Sequence, residues 1–205
     1  KPYRLAIGYL YSLFKDIPEL PFLKDISKEE IEIIKKQIDK NINTPLTSSM
    51  GRLFDTVSSM LNICKESSYE GQPAIELEMA GKDFETDEYY RWEMDSKDGT
   101  FIIRVKSIFE DIIEELGRVP DSLISAKFHN TIAMMIMSIG VLLREETKIN
   151  RIVLSGGCFQ NRRLLRRTIS LLREKQFQVI THHYIPCNDG GISLGQAIVG
   201  GRRDS

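Results

Sequence analysis

Between Arg151 and Thr181 the hydrophobic spacing changes twice. Ile152-Val153-Leu154 is an apolar run of strand length, and Asn161–Lys175 places its leucines at helical spacing with arginines opposite. Gln178–Thr181 is again short and apolar. Strand, helix and strand joined by short turns imply a parallel pair with a right-handed crossover. The last third is therefore an α/β unit, with Arg151–Leu154 expected as a buried strand. A final loop, Pro186–Gly191, leads into a closing helix near Leu194–Val199.

The first half reads as helix. Arg4–Phe14 is apolar at helical spacing. Ser27 before Lys28-Glu29-Glu30 is a capping-box pattern that opens a helix through about Asn41. Pro45 breaks the chain, and Thr47 or Ser48 can cap a helix whose apolar face is Leu53, Phe54, Val57, Met60 and Leu61. Glu70-Gly71-Gln72-Pro73 is a turn before a short helix over Ala74–Gly81. Tyr89–Met94 and Thr100–Val105 alternate around Asp98-Gly99, a hairpin signal. Ser107–Leu116 and Ser122–Arg144 return to helical spacing. The expected organisation is a mainly helical part over 1–88 and an α/β lobe over 89–205.

Composition narrows the partners. With a formal net charge of −1, nothing suggests a nucleic-acid or anionic-membrane surface. No apolar run approaches the roughly 20 residues that span a bilayer, and Lys1-Pro2-Tyr3-Arg4 has no signal-peptide pattern. Cys64, Cys158 and Cys187 are an odd count without CxxC spacing, which points to a reducing, cytoplasmic setting rather than disulfides or a zinc knuckle.

Both turns of the last third are glycine-rich. Ser155-Gly156-Gly157 follows the first strand and precedes a helix, so backbone can approach a ligand closely and helix N–H groups can attract an anion. Asn161 stands where its amide can bond a phosphate or ribose oxygen. Asn188-Asp189-Gly190-Gly191 follows the second strand. Ligands of open α/β sheets sit beyond the carboxyl ends of the strands, where both loops fall. Tight turns without ligand, and Asp189 as a helix cap, satisfy the same patterns. Two such loops at one edge favour a phosphate site.

Other signals are weaker. Asp55 has the pattern of a solvated face. His129 has no neighbouring ligand residues and reads as packing or hydrogen-bonding. His182 and His183 point to opposite faces of a strand end, a poor chelate. Arg162, Arg163, Arg166 and Arg167 read as a solvated face, and no base accompanies Cys158 or Cys187.

Pro45–Asp55, Tyr69–Glu78, Phe128–Thr131, Leu154–Asn161 and Asn188–Gln196 resemble, in order, the C-terminal region of the HypF family, carbamoyltransferases of nickel–iron hydrogenase maturation. The resemblance covers essentially the whole chain. It implies an α/β, actin-like (ASKHA, RNase-H-related) lobe with a large helical region in its first half, shared with the TsaD threonylcarbamoyl transferases. It implies carbamoyl adenylate made from carbamoyl phosphate and ATP, and transfer to the C-terminal cysteine of the partner HypE on the way to the cyanide ligand. By motif, Asp55, Gly71 and Gln72 face the nucleoside, Gly156, Gly157 and Asn161 line the adenylate, and Asp189 is a metal ligand. TsaD-like proteins have two glycines where this chain has Gly71-Gln72.

The family's metal site, taking iron or zinc, also uses an HxxxH pair upstream, and His129, His182 and His183 form no such pair. The chain therefore resembles the second part of a transferase domain, with the remaining ligands outside it and weak or no activity alone. The competing reading is a non-catalytic actin-like fragment that binds nucleotide or a partner. A lobe separated from its partner exposes an apolar face, expected here on the helical first half.

Overall fold

Helices occupy most of the first stretch of the computed structural model, which describes residues 1–202. α1 spans Pro2–Phe14, with Pro2 in the first turn, where an absent N–H costs no helical bond. α2 spans Lys28–Asp39, and the Ser27 side chain accepts the Glu30 N–H, as the capping pattern indicates. α3 spans Met50–Met60, capped by Ser49 rather than Thr47 or Ser48. α4 spans Gln72–Ala80 and starts at Gly71, whose φ of 77° suits glycine. α3 packs on α1 and α4. Ile7, Leu10, Val57 and Leu77 are fully buried there, each contributing about 1.5–3 kcal/mol by leaving water.

The hairpin follows its turn. Asp98 and Gly99 have φ of 51° and 74°, the positive values that a two-residue primed turn requires. Such a turn places the arms directly beside it. β1 is therefore Glu93–Lys97 and β2 Thr100–Arg104, antiparallel, with Lys97 opposite Thr100. The expected first arm, Tyr89–Met94, lies too far from the turn. Its first residues bind elsewhere: Tyr90 is buried and donates to Glu115 Oε2 at 2.7 Å, and Arg91 forks onto Asp111. α5 covers Lys106–Glu115 and α6 Asp121–Thr147.

Two units make up the chain, Lys1–Phe128 and His129–Ser205. Contrary to the expectation from composition, α6 is long and apolar enough to cross a membrane by length and composition. Over half of its most apolar window is buried in the protein, and Ser125, His129 and Thr131 are at 0 % exposure, as in a core helix with polar partners.

In the second unit, β3 (Arg151–Leu154) and β4 (Gln178–Thr181) pair in parallel, with Val153 opposite Ile180. α7 (Arg162–Glu174) connects them, and α8 (Ile192–Gly201) closes the described chain. Gly140 of α6 admits this layer closely: a Cβ there would stand 2.9 Å from Ile152 Cδ1 and 3.7 Å from Phe177 Cζ. The expected buried strand is buried on one side only. Leu154 is 3 % exposed, whereas Val153 is 59 % and Ile180 38 % exposed. Alternate strand residues face opposite ways, and among the described residues of this unit the Val153 side stays largely open.

Candidate functional site

The two glycine loops of the second unit meet. Gly156 N–H donates to Cys187 O at 2.7 Å. Ser155 Oγ and His182 Nε2, each just past a strand end, lie 2.9 Å apart. Both loops thus occupy the carboxyl edge of the β3–β4 pair, where open α/β sheets hold ligands.

Their glycines answer different needs. Gly156 takes φ 107° and ψ 157°, a region essentially restricted to glycine. Ser155, Gly156 and Gly157 are exposed, and a Cβ on either glycine would meet nothing within 4 Å. That open ground lets a ligand approach bare backbone. In the second loop a Cβ on Gly191 would lie 2.9 Å from Pro186 O, and one on Gly190 3.2 Å from Pro186 Cγ. Those two are small because their own loop folds tightly.

Asn161 is 9 % exposed and caps α7: its Oδ1 accepts the Leu164 N–H at 2.9 Å. Its Nδ2 meets His129 Nε2 at 2.9 Å. Asn188 Oδ1 accepts the Gly190 N–H at 3.1 Å, so Asn188, not Asp189, is the cap of the Asp189–Gly191 turn. Asp189 stays exposed. Arg162 and Arg166 are exposed, but Arg163 and Arg167 are half-buried, so the arginine face is only partly solvated.

In the first unit, Asp55 sits half-buried on α3, and burial raises its carboxyl above the usual range against the pull of the chain's amino terminus and Arg52. The Gln72 Oε1 accepts from Ser68 N at 2.7 Å and Ser68 Oγ at 3.0 Å, while its Nε2 donates to Glu76 Oε1 at 2.7 Å. Gln72 is thereby locked into its own turn. Burial, with Glu76 and Asp55 nearby, raises the Cys64 thiol. Cys64 thus feels both Asp55 and Glu76, and Glu76 is the residue that holds Gln72. Sequence reasoning passed over Glu76, although its i+4 spacing from Gln72 on a helix was the signal. A polar cavity of about 370 Å³ lined by Tyr3, Asp25 and Lys65 contains none of the expected site residues.

A metal does not fit the residues present. Among the described residues no three His, Cys, Asp or Glu side chains gather, and hard cations need several oxygen ligands.

A mainly helical body joined to a parallel β–α–β unit defines an α/β lobe of the actin-like, RNase-H-related class. The family model "Carbamoyltransferase, Kae1-like Domain, second subdomain" matches residues 1–196, and the chain belongs to that family. It is 35% identical over 163 residues to the carbamoyltransferase HypF of Synechocystis sp., covering 80% of this chain and 21% of that protein. It is 30% identical over 201 residues to the probable carbamoyltransferase HypF of Methanocaldococcus jannaschii, covering 96% and 26%. A crystal structure of full-length HypF in the phosphate- and nucleotide-bound form superposes with a TM-score of 0.89 at 43% identity, over 98% of this chain and 26% of that one. The chain thus spans about a quarter of the length of these relatives.

Proposed function

We propose that this chain is the adenylate-holding part of a carbamoyltransferase. In the whole enzyme a carbamoyl group from carbamoyl phosphate and ATP passes through carbamoyl adenylate to the C-terminal cysteine of HypE, in the cytoplasm. The observation that carries the reading is the junction of the two glycine loops through Gly156 N–H and Cys187 O. It supports a phosphate site at the strand ends, in a chain whose full-length relative is described as phosphate- and nucleotide-bound.

The residues divide the work by chemistry. Gly156 and Gly157 offer exposed backbone, and the N-terminal end of α7 adds its dipole, both favourable to an anion without a side-chain charge. Asn161, at the same end, supplies an amide for a phosphate or ribose oxygen. Asp55, Gly71 and Gln72 belong to the first unit, where Gln72 is held by Glu76 and Ser68. Asp189 joins a metal whose other ligands come from the rest of the longer protein. No step is assigned through that metal, because the described residues do not form its site. The same observation favours a second reading for the chain alone: it holds nucleotide without transferring carbamoyl.

Titration calorimetry with AMP tests the proposal. The chain should bind AMP, and Asn161→Ala should weaken binding by roughly two- to twelvefold, the worth of one neutral hydrogen bond. Asp189→Asn should leave AMP affinity unchanged. Absence of AMP binding by the native chain, or equal affinity in Asn161→Ala, overturns the assignment.

A further inference from the structure

His129 lies in α6 at 0 % exposure, with Nε2 2.9 Å from Asn161 Nδ2. The other end of the same amide sets its orientation, because Oδ1 accepts the Leu164 N–H. An amide NH2 only donates, so the ring nitrogen it meets must present a lone pair. His129 is therefore neutral, with its proton on Nδ1. The two residues are separated by 32 positions, and the stretch between them contains β3 and the first glycine loop.

An amide has two hydrogens and two acceptor lone pairs. His129 takes one hydrogen and Leu164 one lone pair, which leaves one of each to offer a ligand. Rotated by half a turn, the amide would set its NH2 against the Leu164 N–H and uncap α7. We infer that His129 is a positioning residue: its neutral imidazole holds the Asn161 amide in the orientation that caps α7 and presents the remaining hydrogen and lone pair to the nucleotide. This rests on the Asn161 contact proposed above.

Nitrogen NMR on the chain, combined with AMP titration, tests it. In the native chain the His129 Nε2 resonance should be of the unprotonated type. His129→Phe fills the space but accepts nothing; His129→Gln puts a carbonyl oxygen near the position of Nε2. The Asn161 side-chain NH2 resonances should move in His129→Phe and return in His129→Gln. AMP affinity should fall roughly two- to tenfold in His129→Phe and recover in His129→Gln. A proton on Nε2 in the native chain overturns the inference, and that measurement needs no variant to fold. So does a folded His129→Phe chain that binds AMP normally while Asn161→Ala does not. If Asn161→Ala binds AMP as tightly as the native chain, the Asn161 contact itself fails, a pattern separate from either of these.

Discussion

Gly156 and Gly157 are neighbours in sequence and equally open, yet alanine should act differently at each. At Gly156 the backbone has φ 107° and ψ 157°, so a Cβ is strained there although it meets no atom. Holding a non-glycine residue in such a region costs about 1–3 kcal/mol. Gly157 has no positive φ and opens a short 3-10 turn, so alanine fits it. Losing glycine's freedom in the unfolded chain then stabilises by about 0.4–1 kcal/mol. For a chain of this size, 1 kcal/mol shifts Tm by about 2–4 °C. Gly156→Ala should therefore melt about 2–12 °C below the native protein, and Gly157→Ala at or slightly above it. Function should not follow stability. The Gly157 methyl stands in the open ground before the loop, so AMP affinity should fall in a protein that is no less stable. Differential scanning calorimetry and AMP titration on the two variants decide it. Equal melting points would refute the strain argument, and native AMP affinity in Gly157→Ala would refute the role of bare backbone in ligand approach.

Asp55 is expected to cost stability for its site. Burial raises its folded pKa above the unfolded value, so the penalty is absent at pH below the unfolded pKa and builds as pH rises through the window between the two. Asp55→Asn should be more stable than the native chain at neutral pH, with the difference shrinking as acid is added; urea melts at several pH values showing a constant difference would contradict this. Lys127 is 11 % exposed at its side chain and binds Glu115, which also accepts from Tyr90. Glu88 Oε2 stands 3.4 Å from the same ammonium, so Glu115→Ala should remove one of its carboxylate partners and destabilise by about 1.5–3 kcal/mol, whereas Tyr90→Phe should cost about 1 kcal/mol, both read from urea midpoints. The chain should also self-associate through its second unit, because Val153, Ile180, Ile192, Ile198 and Val199 are exposed there. Light scattering should show less association when Ile198 and Val199 become serine, and no change would remove that surface from the account.

Pattern made the elements legible where local chemistry decides them. The bounds Arg151–Leu154 and Gln178–Thr181, their parallel pairing, the Ser27 cap and the Asp98-Gly99 turn all follow from spacing or from residues with one conformational use. Cover was not legible. A run such as Ile152-Val153-Leu154 reads as buried on both faces, and nothing local reveals that Val153 is left open. Tyr89–Met94 alternates like a strand, but tertiary bonds from Tyr90 and Arg91 take its first residues out of the hairpin. The apolar length of α6 was missed because Lys127, His129 and Asn130 break it as written, while the helix spreads them among buried neighbours. The family's motif residues were legible as positions but not as contacts, since hydrogen bonds such as Gln72 to Glu76 and Asn161 to His129 depend on how helices lie.

The same distinction separates the two glycine pairs. Both read alike in sequence, as loops after strands. Gly190 and Gly191 are small because Pro186 presses on them, a requirement met entirely within the chain. No described atom lies within 4 Å of a Cβ placed on Gly156 or Gly157, and Gly156 adopts a conformation that only glycine holds without strain. That conformation serves one contact within the chain, the bond from the Gly156 N–H to Cys187 O, and leaves the backbone exposed. An exposed backbone beside a helix N-terminus favours an anion, and that is the ground on which a nucleotide phosphate is proposed there.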